Sequence, residues 1–350
     1  MKRLKKICKY FIIGGLCLFL IFTIGGIIIK RNGQSKINRE QLIAEGGKLA
    51  LDTNGRKIEY FTYGSNDPNT PVIINIHGSG LDATFEKLIH QKSCEELNVR
   101  GISISLPGCG NTDLKIGRKV IEWAFEDLYA VLEQENIDHF MISGHSQGTP
   151  HAMAAAFFYG ERCTALGLNA PLLPNNLTQE LNIEGALGHD QFKTTEQLKH
   201  PLNAWMFFTF YITTDLFSPS LPVKTLVYSC DNMEQDTALI RMLSCSVERC
   251  VKRGSAGICW ESAKDVCYDW GFDPRLIKTK NISIWHASDD NLCPPVIGQW
   301  LANYYTSQGS NVQFKNENIG YGHMTYCSSH YQKTENSMVQ SLLLSKVMHH

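Results

Sequence analysis

Six short apolar runs punctuate this chain: VIINI (72–76), ISIS (102–105), FMIS (140–143), LGLN (166–169), ISIW (282–285) and VQF (312–314), with helix-length segments between most of them. A strand apolar on both faces must be covered on both sides, and helices connecting successive strands supply that cover. The pattern therefore predicts an α/β fold, a mostly parallel twisted sheet with helices on both faces. Segments 84–98, 117–134, 147–159, 295–306 and 329–347 read as the helices. In 117–134, Val120, Ile121, Ala124, Leu128, Val131 and Leu132 recur at helical spacing. Ahead of the first run, KLAL and RKIEYFTYG flank Asn54-Gly55, which predicts a hairpin over 47–63.

One stretch breaks the alternation. Residues 175–279 hold no comparable strand run, and an insertion of that length is too long for a simple connection, so it reads as a helical cap. Its aromatics Trp205, Phe207, Phe208, Phe210 and Tyr211 are candidates to line an apolar pocket. Five of the chain's twelve cysteines crowd between Cys230 and Cys267 without a C-x-x-C pair, which points to disulfides rather than zinc. The expected organisation is a basic tail (1–9), an anchor (10–29), a linker (30–46), a core (47–174 and 280–350) and the cap (175–279).

The anchor is the run YFIIGGLCLFLIFTIGGIII at 10–29, uncharged and bounded by Lys9 and Lys30. Twenty residues of helix span about 30 Å, the thickness of bilayer hydrocarbon. A cleaved signal peptide shares the basic start, but its apolar core is about 7–15 residues and ends in small residues, unlike Ile-Ile-Ile-Lys-Arg. An uncleaved single-pass signal-anchor is expected. Five positive charges before the run against four after it favour a luminal or extracellular body. The sequons at Asn176 and Asn281 are candidate glycosylation sites on that side. Residues 1–39 carry nine of the 33 basic side chains and no acid, which leaves a body of 24 basic and 34 acidic residues, net −10. No basic excess exists to neutralise a phosphate backbone, so nucleic acid is excluded as a general partner.

Chemistry concentrates at Gly144-His145-Ser146-Gln147-Gly148, directly after FMIS and before a small-residue helix. This is a G-x-S-x-G nucleophile elbow in its strand-turn-helix context. Gly144 and Gly148 let strand and helix approach closely, and the Ser146 hydroxyl projects where the helix dipole favours negative charge. A serine needs a base and an orienting carboxylate. Asp289-Asp290 follows the strand ISIW, and Gly322-His323-Met324 follows VQF. Both loops fall at the carboxyl edge of the sheet, where ligands bind in open α/β sheets. His323 alone of the twelve histidines combines this position with a glycine flank.

From about residue 47 to 346 the chain resembles the α/β-hydrolase superfamily. The resemblance rests on His77-Gly78-Ser79-Gly80, Leu106-Pro107-Gly108-Cys109-Gly110-Asn111-Thr112-Asp113, the elbow, the Asp loop and Gly322-His323-Met324, in that order. It implies a Ser146–His323–Asp290 triad, because aligning Pro294 with the proline of the family's G-x-x-D-x-x-V-P loop places the acid on Asp290. Ala287 then stands for the usual Gly and Cys293 for the usual Val, and Asp289 is the second choice. It also implies oxyanion donors in the backbone N–H groups of Ser79 and Gln147, with Gly78 and Gly80 shaping the loop. Residues 106–113 are read as structural.

The function implied is a membrane-anchored serine esterase acting on a lipid or other apolar acyl ester, without metal or cofactor. Amide, thioester or carbon–carbon cleavage by the same triad is the alternative, and a non-catalytic receptor on the same scaffold is a third reading. An epoxide or haloalkane hydrolase would carry Asp where Ser146 stands.

Overall fold

The computed structural model describes residues 2–32, 39–185, 214, 218–265 and 270–347. Eight strands form one sheet: β1 (Gly47–Leu51), β2 (Lys57–Gly64), β3 (Val72–Ile76), β4 (Arg100–Ile104), β5 (Phe140–His145), β6 (Cys163–Asn169), β7 (Asn281–Trp285) and β8 (Asn311–Lys315). Their order is β1-β2-β4-β3-β5-β6-β7-β8. The β1–β2 and β2–β4 pairs are antiparallel and every later pair is parallel. The hairpin closes through residues 52–56, with Asp52 Oδ1 accepting from the Asn54 and Arg56 N–H groups and Gly55 at φ +77°.

Every residue of β3 and β5 is buried, as two-sided cover requires. Val72, Ile74 and Ile76 pack with Val120, Trp123 and the elbow helix Gly148–Tyr159 on one face. Ile73 joins Met141, Trp285, Met338 and Leu342 on the other. Alternation along a strand thus feeds two helical layers, and each fully buried Ile contributes about 1.5–3 kcal/mol. Asn75, the polar interruption of β3, is satisfied by Tyr63 Oη at 2.7 Å and Ser143 Oγ at 2.5 Å.

Several expectations need correction. The helix expected over 329–347 begins only at Met338, because Tyr331 is held against Trp285 and Tyr326 in an irregular aromatic cluster. The linker 30–46 contains a helix, Arg39–Ala44, whose Leu42 is buried against Phe61. The helix Lys2–Asn32 carries the whole 10–29 run with Phe11, Ile12 and Leu16 exposed, yet among the described residues no helix is long and apolar enough to cross a membrane.

Between β6 and β7 the described residues form helices Asn175–Leu181, Ser220–Tyr228, Thr237–Cys250 and Ala256–Asp265, with no strand. The aromatics at 205–211 lie outside the described residues. Disulfide stapling is not found at Cys230 or Cys245, which are free thiols. Cys230 Sγ donates to Tyr321 O, and Cys245 points to solvent from the helix Thr237–Cys250. The side chains of Cys259 and Cys267 lie outside the described residues. Asn176 is exposed, but Asn281 opens the interior strand β7, paired on both sides, and its Nδ2 donates to Thr164 O. Of the two sequon asparagines, Asn176 is thus the more exposed and Asn281 is half-buried.

Candidate active site

The loops after β3, β5, β7 and β8 meet at the carboxyl edge of the sheet. Ser146 follows β5 with φ +51°, a left-handed conformation that costs a non-glycine residue roughly 1–3 kcal/mol. The turn is held by Ser146 N donating to Asn169 O at 2.8 Å and by Thr149, whose N–H and hydroxyl both donate to Ser146 O. A Cβ at Gly144 would strike the Gly148 backbone, and one at Gly148 would strike Ile76 O. Both glycines are therefore steric requirements of the elbow.

His323 Nδ1–H donates to Asp290 Oδ2 at 2.8 Å. The other Asp290 oxygen accepts the N–H groups of Leu292 and Cys293, each at 2.9 Å. Burial would raise the Asp290 carboxyl, but His323, His286 and the Cys293 N–H together hold it well below the carboxylate range. Burial would likewise disfavour the His323 imidazolium, and the facing Asp290 charge reverses this, so its basicity lies well above that of an ordinary histidine. Asp289 is turned elsewhere. Its Oδ2 accepts the Gly322 N–H at 3.1 Å, so it braces the loop that carries His323 without touching the ring.

Ser79 and Gln147 both line the cavity beside Ser146, and among the described residues neither backbone N–H is bonded to a protein acceptor. Gly80 has φ +77°, which turns the loop after Ser79. His77 braces this loop, donating from Nδ1 to Gly78 O and accepting the Leu106 N–H at Nε2. The 106–113 segment is structural, as expected: Thr112 Oγ1 bridges Glu59 N and Ser105 O, and Asp113 accepts from Lys57 N and Arg253.

Four contributors were not singled out from the sequence. His286, fully buried, lies 3.4 Å from Asp290 Oδ2 and donates to Cys293 O. The His145 ring lies against that of His323, centroids 5.1 Å apart and planes tilted by 38°, and burial together with the His323 charge pulls it down to about 3, so it stays neutral. Ser262 Oγ, from the helix Ala256–Asp265, meets Ser79 Oγ at 2.7 Å. The Cys293 thiol lies beside His323, ligand atoms of these two and of Asp290 within 4.8 Å of one another, and burial pushes the thiol up. Each is far from its partner in sequence, apart from His286, whose i,i+4 spacing to Asp290 was the one visible signal.

The cavity over these residues has a volume of about 370 Å³, within the range of small-molecule sites. Val223 and Leu226 enter from the helix Ser220–Tyr228 and Leu243 and Val247 from Thr237–Cys250, with Leu172, Leu292 and Met324 from the core. Ser146, His323, the backbone N–H groups of Ser79 and Gln147 and an apolar wall thus share one chamber.

Residues 71–234 match the family model described as alpha/beta hydrolase fold. Among solved structures, an esterase (EaEST) from Exiguobacterium antarcticum superposes with a TM-score of 0.59 at 16% identity, covering 86% of this chain and 97% of its own. A thermophilic esterase from Thermogutta terrifontis gives 0.58 at 16%, covering 86% and 98%. Est816, described as an N-acyl homoserine lactone degrading enzyme, gives 0.58 at 16%, covering 82% and 98%. No curated protein matches the chain by sequence. The sheet order, the family match over 71–234 and these superpositions together make this chain an α/β-hydrolase-fold protein.

Proposed function

We propose that the protein is a serine hydrolase that cleaves an ester of an apolar acyl group through an acyl-enzyme. The observation that carries this reading is the 2.8 Å His323–Asp290 bond opening onto the same cavity as the strained Ser146. In the proposed cycle His323 takes the Ser146 proton as the hydroxyl attacks the carbonyl, and the N–H groups of Ser79 and Gln147 receive the oxyanion. His323 then protonates the leaving alkoxide, activates a water and returns to its starting state when acid is released. Asp290 holds the imidazolium throughout. The apolar wall supports an aliphatic acyl group, and the superpositions on proteins named as esterases support an ester as the bond. A fluorophosphonate probe should label the purified protein at Ser146, and labelling that persists in Ser146→Ala overturns the assignment.

Attachment to a lipid surface by the helix Lys2–Asn32 belongs to the same proposal. It is supported by the uncharged sequence 10–29 and the exposure of Phe11, Ile12 and Leu16. Carbonate-resistant pelleting should be lost on deleting residues 1–38. A body on the luminal or extracellular side would make Asn176 sensitive to glycosidase, and an unmodified Asn176 counts against that sidedness.

A further inference from the structure

Cys293 stands where the family's acid loop usually carries Val, and the fold brings its thiol beside the proposed base. Ligand atoms of Asp290, Cys293 and His323 all lie within 4.8 Å of one another, and all three residues are buried. Cys293 and His323 also line the cavity, so a solute that reaches Ser146 reaches them. We propose that Asp290, Cys293 and His323 form an inhibitory site for a thiophilic divalent cation of the Zn²⁺ class.

The donor set argues for the class of ion. One sulfur, one imidazole nitrogen and one carboxylate oxygen are the ligand types of zinc, with bonds of about 2.0–2.3 Å. A tetrahedron of such bonds separates neighbouring ligand atoms by about 3.5 Å, so atoms now within 4.8 Å of one another need close by about 1.3 Å at most. Hard cations such as Mg²⁺ or Ca²⁺ prefer all-oxygen shells and are poorly served here. On binding, the Cys293 S–H bond breaks, its sulfur lone pair goes to the metal and the proton leaves to solvent. The burial that opposes a bare thiolate at Cys293 is answered by the cation's charge.

Inhibition follows from which lone pair is taken. A metal on Nε2 occupies the lone pair that would accept the Ser146 proton. A metal on Nδ1 displaces the hydrogen bond to Asp290 and reverses the tautomer. Either way His323 cannot serve as a base while the ion is bound, and a chelator restores it.

The test uses the full chain purified in detergent with its thiols reduced. Addition of ZnCl₂ should slow fluorophosphonate labelling by about tenfold or more, with recovery on adding EDTA. Co²⁺ in place of Zn²⁺ should give a thiolate-to-metal charge-transfer band in the near ultraviolet. That band should persist in Ser146→Ala and Cys230→Ala and be lost in Cys293→Val. Cys293→Ser, which keeps the side chain's size, guards against misfolding of the Val variant and should lose the band as well. Absence of the band in the unmodified chain, or its persistence in both Cys293 variants, overturns the site. Because the cobalt spectrum does not depend on turnover, failure of the esterase reading would leave it interpretable.

Discussion

Arg249 and Asp82 are joined across 167 residues by a 2.7 Å bond from Nε to Oδ2, tying the helix Thr237–Cys250 to the chain just past the loop of Ser79. The same guanidinium reaches Glu59 Oε2 at 3.0 Å and pairs with Glu45. Asp82 and Glu59 are fully buried, and Ser246 on the same helix donates to the other Asp82 oxygen at 2.8 Å. The insertion is thereby pinned to the core at the edge of the cavity.

Arg249→Ala leaves two buried carboxylates facing one another without their cation. Removal of one partner of a buried pair costs about 3–5 kcal/mol, and urea unfolding should show a loss of this order at neutral pH. Burial, with Asp82 beside it, already pushes Glu59 upward against the pull of Arg249, so protonation relieves the defect. The variant's deficit should shrink as the pH is lowered toward 5, and a constant deficit would count against the charge account.

The two neighbouring aspartates should separate kinetically. Asp290 bonds the His323 ring, whereas Asp289 bonds a backbone N–H of its loop. Asp290→Asn should lower kcat on a p-nitrophenyl ester by about 10⁴-fold, the scale of losing the carboxylate of a serine triad. Asp289→Asn keeps an acceptor for Gly322 N–H and should lose less than about tenfold. Equal losses would mean that the roles are misassigned.

The pH profile carries a sign. Only neutral His323 accepts a proton, so kcat/KM rises with pH through the His323 titration and falls about tenfold per unit below it. Because the Asp290 charge raises His323 well above its ordinary value near 6.5, the acid limb should be centred above 6.5. In Asp290→Asn that support is gone and the limb should move to lower pH. The same shift also stabilises the fold: the His323 contribution is full below the unfolded value and is lost as pH rises through the folded one.

Acyl length should be read by the cavity wall. Val247 lines the chamber from the helix Thr237–Cys250, and Val247→Trp fills space that a chain would occupy. kcat/KM for a long-chain ester should fall by about ten- to a hundredfold, while that for an acetate ester changes little. Parallel losses on both esters would place Val247 outside the acyl site.

Residues local in sequence were legible from it. The six apolar runs became β3 to β8: β3 to β7 lie inside the sheet and are mostly buried, whereas β8, at the sheet's edge, is half-buried throughout. The Ser146 elbow was readable because its glycines, strand and helix are contiguous, and steric demand acts within a few residues. The residues alone do not separate Asp290 from Asp289, and only the resemblance favours Asp290, since adjacent residues of identical chemistry differ only in what the loop turns them toward. Cys230 and Cys245 remain thiols, Cys230 donating to Tyr321 O and Cys245 exposed, surroundings that spacing along the chain does not encode. Asn281 is half-buried at the start of β7, which lies between β6 and β8, strands whose residues lie more than a hundred positions before it and thirty after. The Asp290–Cys293–His323 cluster likewise exists only once β7 and β8 lie side by side. Sequence pattern determined the sheet strands, most of the helices and the elbow, because those choices follow from local sterics and from the burial each segment demands. Tertiary structure decided which acid meets the base, which cysteine meets both, and which surfaces remain open, because those are contacts between segments that only packing brings together.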